Sequence, residues 1–158
     1  MGIPNINISW GLAGFGRDDW NFVYRLIEKY RIKSVLEYGC GLSTELLYAV
    51  NLEVTSLETQ RQFAEQYKDF NILLCDYNKG YPLFNRRFDL GFIDGPGEKE
   101  RHDRSKAVIH AKEYCDYIYL HDYDLYQFEQ FEEDYNWVEC RPYKEKHNHF
   151  FIRRKVLL

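Results

Sequence analysis

Short apolar runs alternate with segments of helical spacing along most of this chain, and this alternation limits what the chain can fold into. The runs end at glycines or acidic residues, as buried strands often do, and an amphipathic segment separates most of them. Parallel strands need crossover connections, which helices usually supply, so the order predicts β-α-β units around a mostly parallel sheet. The predicted strands are residues 34–38, 53–57, 71–75, 88–93, 117–120, 137–142 and 149–154.

The connections between these strands refine the predicted fold. Asp18 or Asp19 can cap the first helix, which runs to about Tyr30. A turn-rich segment without helical pattern leads from the third strand to the fourth, and no helix separates the last two strands, which are therefore expected to form a hairpin. The sequence predicts an α/β, Rossmann-like three-layer sandwich, with a mostly parallel seven-stranded sheet and a C-terminal antiparallel hairpin. The other predicted helices are residues 43–50, 60–67, 101–112 and 125–135.

Length, charge and cysteine pattern bound the class of function. A chain of 158 residues fits one domain, 1–158, whose glycine-rich residues 1–17 are predicted to form a lid or loop. The net charge of −4 gives no field that would attract nucleic acid or an anionic membrane, and no apolar run approaches the ~20 residues that span a bilayer. The start of the chain lacks a signal-peptide pattern and the four scattered cysteines form no C-x-x-C, so we expect a cytoplasmic protein with reduced thiols. The oligomeric state cannot be read from the sequence.

Acidic residues follow the predicted parallel strands at the points where those strands end. The carboxyl ends of parallel strands meet at one edge of the sheet, and ligands bind in the crevice outside that edge. Buried carboxylates are costly unless a partner compensates them, so five acids at one edge predict a ligand site. In chain order these acids are Glu37, Glu58, Asp76, Asp94 and Asp122, and His121 precedes the last of them.

The glycine loop after the first strand indicates the type of ligand. Gly39 and Gly41 let the backbone turn tightly and approach a ligand beside a helix N-terminus. A dinucleotide is one candidate, because Glu58 lies about 20 residues further on, where an acid would bind the ribose. Thr44 stands where the third glycine of the dinucleotide motif would be, however, and Glu37 would face a pyrophosphate badly. A carboxylate at that strand tip suits a cationic ligand with an ammonium group.

This set of residues resembles the class I S-adenosylmethionine-dependent methyltransferases. The resemblance rests on Glu37-x-Gly39-x-Gly41, with Glu58 after the second strand and Asp76 after the third, and covers nearly the whole chain. It implies an enzyme with S-adenosylmethionine as cofactor, its methionine part on the glycine loop, its ribose on Glu58 and its adenine beside Asp76. The implied cofactor-binding residues are Glu37, Tyr38, Gly39, Gly41, Ser43, Thr44, Glu58, Asp76, Tyr77 and Asp94.

Two features depart from the family pattern. Ser43 stands where the family often has a third glycine, and the helix usual between strands three and four is missing or reduced. Without that helix the chain is predicted to have a minimal version of the fold, with little room for an inserted substrate domain.

A narrower resemblance concerns the acceptor of the methyl group. Residues 36–44, 92–96 and 120–124 are similar to sugar and polysaccharide O-methyltransferases, among them the plant glucuronoxylan methyltransferases. This similarity implies a small-molecule or saccharide acceptor that is methylated on a hydroxyl.

Methyl transfer to oxygen usually needs a base for the hydroxyl proton, and the predicted catalytic residues are Asp94, His121 and Asp122. Asp94 and His121 would each project from a strand tip toward the transferred methyl group, and Asp122 could orient His121 or the substrate. A divalent metal held by Asp94 and Asp122, as in catechol-type enzymes acting on phenols, is less favoured because its ligand set is incomplete. An NAD(P)-dependent Rossmann oxidoreductase and a degenerate protein that binds cofactor without catalysis remain alternatives.

Two further charged segments have simple structural interpretations. Arg101 or Arg104 could bind an anionic group of the substrate, but the mixed charge of residues 98–106 favours a solvated helix face. His147 and His149 share one face of a predicted strand, and with no third ligand nearby they indicate a hairpin surface and not a metal site.

Overall fold

The computed structural model describes residues 15–96 and 104–122, together with the backbone of residues 135–143 and 147–154. The helices are α1 (Arg17–Tyr30), α2 (Leu42–Ala49), α3 (Arg61–Gln66) and α4 (Ser105–Tyr114). The strands are β1 (Ser34–Tyr38), β2 (Glu53–Glu58), β3 (Ile72–Leu74), β4 (Phe88–Ile93), β5 (Cys115–Leu120), β6 (Tyr135–Tyr143) and β7 (His147–Arg154).

The described strands form one sheet in the order β3-β2-β1-β4-β5-β7-β6. The first five strands of that order run parallel to one another, which confirms the predicted α/β, Rossmann-like parallel sheet. The backbone of β7 pairs antiparallel with both β5 and β6. The chain moves outward from β1 through β2 to β3 and then returns to place β4 on the other side of β1. The switch point of the topology therefore lies between β1 and β4, where a ligand crevice is expected.

Helices cover both faces of the parallel sheet, each over its own apolar core. Alternate side chains of a strand point to opposite faces, so neighbouring residues of β1 enter different cores. Helices α1 and α2 pack on one face and α4 packs on the other, which gives three layers. The first core includes Trp20, Val23, Leu26, Val35, Leu46, Leu47, Leu90, Phe92 and Tyr119. The second includes Leu36, Tyr38, Leu57, Phe88, Ile93, Ala107, Val108, Ala111 and Ile118.

Helix α1 starts earlier than predicted, because Gly16 and not Asp18 or Asp19 is its N-cap residue. Asp19 still takes part in the cap from the third helical position, where its carboxylate accepts a hydrogen bond from the Gly16 N–H at 2.7 Å. The apolar spacing predicts the helix itself. Which of the neighbouring residues is its N-cap depends on the backbone conformation of the segment before the helix.

Several predicted boundaries shift in the structure. Strand β3 is three residues long, and residues 75–87, all of them described, contain no helix, as predicted. Strand β6 begins at Tyr135, so the predicted helix over 125–135 is wrong at its last residue, and the rest of that prediction lies outside the described residues. Residues 1–14 of the predicted lid and residues 101–103 of the predicted fourth helix lie outside them as well. None of the helices in the described ranges has the length and apolar character needed to cross a membrane.

Candidate functional site at the carboxyl edge of the sheet

The sheet order places the predicted strand-end residues in a row along one edge. Asp76 lies beyond β3, Glu58 ends β2, the glycine loop follows β1, Asp94 follows β4 and His121 follows β5. Two hydrogen bonds hold the central part of this row together: the Asp94 N–H donates to the Tyr38 carbonyl at 3.1 Å, and the Gly39 N–H donates to the Leu57 carbonyl at 2.8 Å. The predicted acids therefore share one edge, with the glycine loop at the switch point.

Glu37 is completely buried beneath the glycine loop. Its carboxylate accepts hydrogen bonds from the hydroxyls of Ser43 at 2.6 Å, Thr44 at 2.7 Å and Ser56 at 2.5 Å. Ser43 and Thr44 belong to the first turn of α2, and Ser56 is the residue of β2 directly opposite Glu37. Burial raises the pKa of Glu37 to about 7, although the three hydroxyl hydrogen bonds oppose that rise. Glu37 thus anchors the loop from below, and its contact with a cofactor stays a prediction.

Two glycines of different loops touch at the switch point. Gly39 has a φ of +87°, and a Cβ on it would lie 2.8 Å from the Gly95 Cα. A Cβ on Gly95 would in turn lie 2.8 Å from the Gly39 Cα. The sequence predicts the same role for Gly39 and Gly41, a tight turn beside a ligand, but the structure gives them different surroundings. Gly39 is required for loop-to-loop packing, whereas a Cβ on Gly41 would meet no atom within 4 Å.

Glu58 ties the end of β2 to the glycine loop. One carboxylate oxygen accepts hydrogen bonds from the Cys40 N–H at 2.9 Å and the Cys40 thiol at 3.3 Å. The other accepts from the N–H groups of Thr59 and Gln60, both at 2.7 Å. Burial, followed by the charge of Glu58, raises the pKa of the Cys40 thiol far above its ordinary value, so the thiol stays protonated. The predicted contact of Glu58 with a ribose stays a prediction, and such a ribose would share acceptors already in use.

Asp76 and Tyr77 lie at the far end of the edge, beyond β3. The Asp76 carboxylate accepts a hydrogen bond from the Asn78 N–H at 3.0 Å, which lowers the pKa of Asp76, and the Lys79 ammonium lies 3.4 Å from it. The Lys106 ammonium lies 4.2 Å from the centre of the Tyr77 ring. This part of the edge is open to solvent, and the predicted adenine contacts stay predictions.

The acceptor side of the edge is a compact group of charges. The Nδ1 atom of His121 lies 2.8 Å from Oδ1 of Asp94 and 3.0 Å from Oδ2 of Asp122. Burial alone would lower the pKa of His121, but the neighbouring carboxylates of Asp94 and Asp122 raise it to about 10. His121 is therefore an imidazolium at neutral pH, flanked by two carboxylates that are each about one-fifth exposed.

The same three side chains have the composition of a metal site. One ligand atom from each of Asp94, His121 and Asp122 lies within 4.8 Å of the others. From the sequence, Asp94 and Asp122 are candidate metal ligands, whereas His121 is predicted to act as a base. The structure adds an imidazole to that incomplete ligand set, although in its protonated form it cannot bind a cation.

The structure also shows supporting residues that the sequence did not reveal. Arg104, which the charge pattern assigned to a solvated helix face, is 3% exposed and donates hydrogen bonds to three backbone carbonyls of this edge. The hydroxyl of Tyr38 lies 2.7 Å from Nδ1 of His110, so the Tyr38 side chain faces α4 and not the glycine loop. The contact of Ser56 with Glu37 could have been predicted from the sequence by aligning β1 with β2. No local sequence pattern indicates that Arg104 or His110 supports the site. The side chains of His147 and His149 lie outside the described residues.

No protein-family model matches the chain, and no curated protein sequence matches it. Solved structures do. An Escherichia coli protein assigned as a methyltransferase, yhhF, has a TM-score of 0.64 and 10% identity over 94% of this chain and 89% of that one. The glycopeptide N-methyltransferase MtfA complexed with sinefungin has a TM-score of 0.61 and 12% identity, over 92% and 89%. An O-methyltransferase from Bacillus cereus in complex with SAH has a TM-score of 0.57 and 16% identity, over 96% and 84%.

These similarities confirm the fold that the sequence resemblance implied. Each of the three structures is covered over more than four-fifths of its length, so the shared fold extends over most of each of them. At identities of 10% to 16%, what is shared is the fold.

Proposed function

We propose that this protein is an S-adenosylmethionine-dependent methyltransferase that transfers a methyl group to an oxygen. The observation that carries the proposal is the contact of Gly39 with Gly95, which brings the glycine loop against the loop of Asp94 at the switch point of a methyltransferase fold. A cofactor held by the glycine loop then has the charged group of Asp94, His121 and Asp122 as its neighbour on one side.

Several features of the edge fit this cofactor. The open space beside Gly41 leaves the loop accessible to a ligand that lies against its backbone. The carboxylates of Glu37 and Glu58 make the surroundings of the loop acidic, which suits a ligand with an ammonium and a sulfonium group. Two of the solved structures contain sinefungin or SAH, in agreement with an S-adenosylmethionine site in this fold.

The side chains of the acceptor side would receive the proton that methylation releases. S-adenosylmethionine supplies a methyl group bound to a positively charged sulfur. The acceptor oxygen forms a bond to that methyl carbon as the carbon–sulfur bond breaks and its electron pair stays on sulfur. The hydroxyl proton passes to the carboxylate of Asp94. His121, as an imidazolium, has no lone pair for that proton at Nδ1, and with Asp122 it orients Asp94.

A saccharide is the acceptor that we propose. The support is the similarity of residues 36–44, 92–96 and 120–124 to sugar and polysaccharide O-methyltransferases, together with two carboxylates, each about one-fifth exposed, that can accept hydrogen bonds from neighbouring hydroxyls. In this proposal the antiparallel β6–β7 pair completes a seven-stranded methyltransferase sheet, and the enzyme acts in the cytoplasm without nucleic acid or a membrane as partner.

Metal-dependent methylation of a phenol is the second candidate function. It is favoured by one observation, the clustering of one ligand atom from each of Asp94, His121 and Asp122 within 4.8 Å of one another. A hard divalent cation such as Mg²⁺ would bind the two carboxylates and orient the hydroxyl oxygen, after His121 has lost its proton.

Calorimetry with S-adenosylhomocysteine and with NAD tests the proposal for the cofactor. We expect binding of S-adenosylhomocysteine in the micromolar range and no binding of NAD. Gly41→Ala is expected to weaken this binding, whereas Glu65→Gln on the exposed face of α3 serves as the matched control. Tight binding of NAD alone would overturn the proposal.

A methylation screen tests the acceptor and the metal. Sugars, phenols and amines are offered with labelled S-adenosylmethionine, each with Mg²⁺ and with a chelator. The proposal expects transfer to a sugar hydroxyl that survives the chelator, and Asp94→Asn is expected to lower its rate about 10²-fold to 10⁴-fold. Transfer to phenols that requires Mg²⁺ would favour the second candidate instead.

A further inference from the structure

Arg104 places a buried guanidinium beneath the acceptor side of the edge. Its Nε donates to the Pro96 carbonyl at 3.1 Å, and its two Nη atoms donate to the carbonyls of His121 at 2.9 Å and Asp94 at 2.7 Å. The side chain is 4% exposed, and the residue stands directly before the first turn of α4. The Arg104 side chain therefore donates hydrogen bonds to three backbone carbonyls of the site.

The three carbonyls belong to two different loops. Asp94 and Pro96 follow β4, whereas His121 follows β5, and the two strands are parallel neighbours. The ladder between them extends as far as the His121 N–H, which donates to the Ile93 carbonyl at 3.0 Å. Beyond this point the guanidinium of Arg104 bridges the loops, so the separation of Asp94 from His121 depends on it.

Arg104 also balances the charge of the group. Its Nη2 lies 3.9 Å from Oδ1 of Asp94, on which Nδ1 of His121 also converges at 2.8 Å. Among the described residues, two cations thus face the Asp94 carboxylate, and one of them, His121, also faces that of Asp122. Buried charges are tolerated when they are paired and hydrogen-bonded in this way, so the group can stay charged while it is mostly withdrawn from water.

We propose that Arg104 is a positioning residue for methyl transfer, which sets the geometry of the Asp94 carboxylate against the His121 ring by holding the backbone of both loops. This inference rests on the proposed function, in which Asp94 receives the proton of the acceptor. Arginine suits the role because its planar fork of donors can serve three carbonyls at once. The ammonium of lysine is a single point of charge and cannot span them.

Arg87 offers a matched control elsewhere in the fold. Its guanidinium also serves two carbonyls, those of Glu113 at 2.6 Å and Cys115 at 2.9 Å, and it pairs with Asp116. Arg87 precedes β4 and therefore lies at the opposite end of that strand from Asp94. Arg87→Lys removes a comparable clamp from the same strand without touching the carboxyl edge.

The test compares wild type, Arg104→Lys, Arg104→Gln and Arg87→Lys. Nuclear magnetic resonance at pH 7 on protein with ¹⁵N-labelled histidine follows the Nδ1–H signal of His121, which a His121→Gln variant identifies. Urea unfolding and calorimetry with S-adenosylhomocysteine are run on the same samples. We expect both Arg104 variants to fold and to displace or lose the His121 signal, while affinity for S-adenosylhomocysteine stays within about threefold of wild type. Arg87→Lys should keep the wild-type signal.

With an acceptor in hand, the same variants separate positioning from binding. Misplacement of Asp94 by about 1 Å should lower kcat about a hundredfold in the Arg104 variants, with little change in the KM for S-adenosylmethionine. An unchanged His121 signal in Arg104→Lys would overturn the inference. It would also be overturned if both Arg104 variants failed to fold while Arg87→Lys folded, because the residue would then serve folding as a whole. If wild type did not bind S-adenosylhomocysteine, the proposed function would fail, but the His121 signal would still decide whether Arg104 positions the pair.

Discussion

The contact between Gly39 and Gly95 gives the sharpest prediction of this structure, because it assigns different roles to two glycines of one loop. Gly39→Ala should lower the free energy of unfolding, and Gly41→Ala should not. Both residues belong to the same short motif, so sequence position alone would treat them alike. The difference arises from the Gly95 backbone, which fills the space beside Gly39 and leaves the space beside Gly41 open.

The expected magnitude follows from two separate terms. A side chain at the positive φ of Gly39 costs about 1 to 2 kcal/mol in backbone strain. The added Cβ would lie 2.8 Å from the Gly95 Cα and 3.0 Å from its nitrogen, both of them backbone atoms that cannot swing aside. Overpacking of this kind costs about 1 to 3 kcal/mol. Gly39→Ala should therefore destabilise by about 2 to 5 kcal/mol, and Gly95→Ala, which carries the second term, by about 1 to 3 kcal/mol.

Urea unfolding of wild type, the three single variants and one double variant, all without ligand, measures these differences. Gly41 has an extended φ of 177°, and its Cβ would meet no neighbour within 4 Å, so Gly41→Ala should stay within about 0.5 kcal/mol of wild type. The double variant Gly39→Ala, Gly95→Ala should differ from the sum of the single changes, because both alter one contact. If Gly39→Ala and Gly41→Ala had equal stability, the reasoning from the loop contact would be refuted.

Three further perturbations test the layer beneath the site. The pKa of Glu37 is about 7 in the folded state and 4.5 ordinarily, so between these values the folded protein holds a proton that the unfolded chain has lost. Wild type should therefore lose up to about 3 kcal/mol of unfolding free energy through Glu37 from pH 4.5 to pH 8. Glu37→Gln should remove this contribution, so that only the fall due to the raised pKa of His121, which begins above pH 6.5, remains, and Glu65→Gln should keep the full slope. Equal slopes in all three proteins would contradict the assignment. Ser56→Ala removes one hydroxyl from the Glu37 carboxylate and should cost about 1.5 to 3 kcal/mol at pH 8, where that carboxylate is charged, and less at pH 5. Tyr38→Phe should cost about 1 to 3 kcal/mol in urea unfolding, because it strips the partner from Nδ1 of half-buried His110, and a change below ~0.5 kcal/mol would show that water replaces it.

The sequence was sufficient for the parallel sheet and for the row of acids along it. Strand β1 could be predicted because a short apolar run ends at a glycine, and all five of its residues are buried in the structure. The acids at the strand ends needed only the rule that the carboxyl ends of parallel strands share one edge. Such patterns are local because side chains repeat every two residues along a strand and about every 3.6 residues along a helix, wherever the segment lies in the fold.

The roles of individual residues depended on the structure. The contact of Glu37 with an ammonium group stays a prediction, and what the structure adds is that the alternation of β1 places its side chain under the loop, where three hydroxyls surround it. His121 was predicted as a base, but two carboxylates from different loops converge on its ring and hold its proton. The contact of Glu37 with Ser56 and that of His121 with Asp94 join residues that are distant in sequence, and no local pattern predicts them.

The sequence by itself thus determined the α/β order, the glycine loop and the presence of acids at one edge, because these follow from periodicity and from the conformations that glycine allows. The tertiary structure alone decided which glycine packs against a neighbouring loop, which acid supports the backbone and which cation joins the loops. Arg104 shows the physical reason. Its surroundings in the sequence are charged and look solvated, but the packing of α4 beside the ends of β4 and β5 encloses it with three carbonyls to which it donates hydrogen bonds.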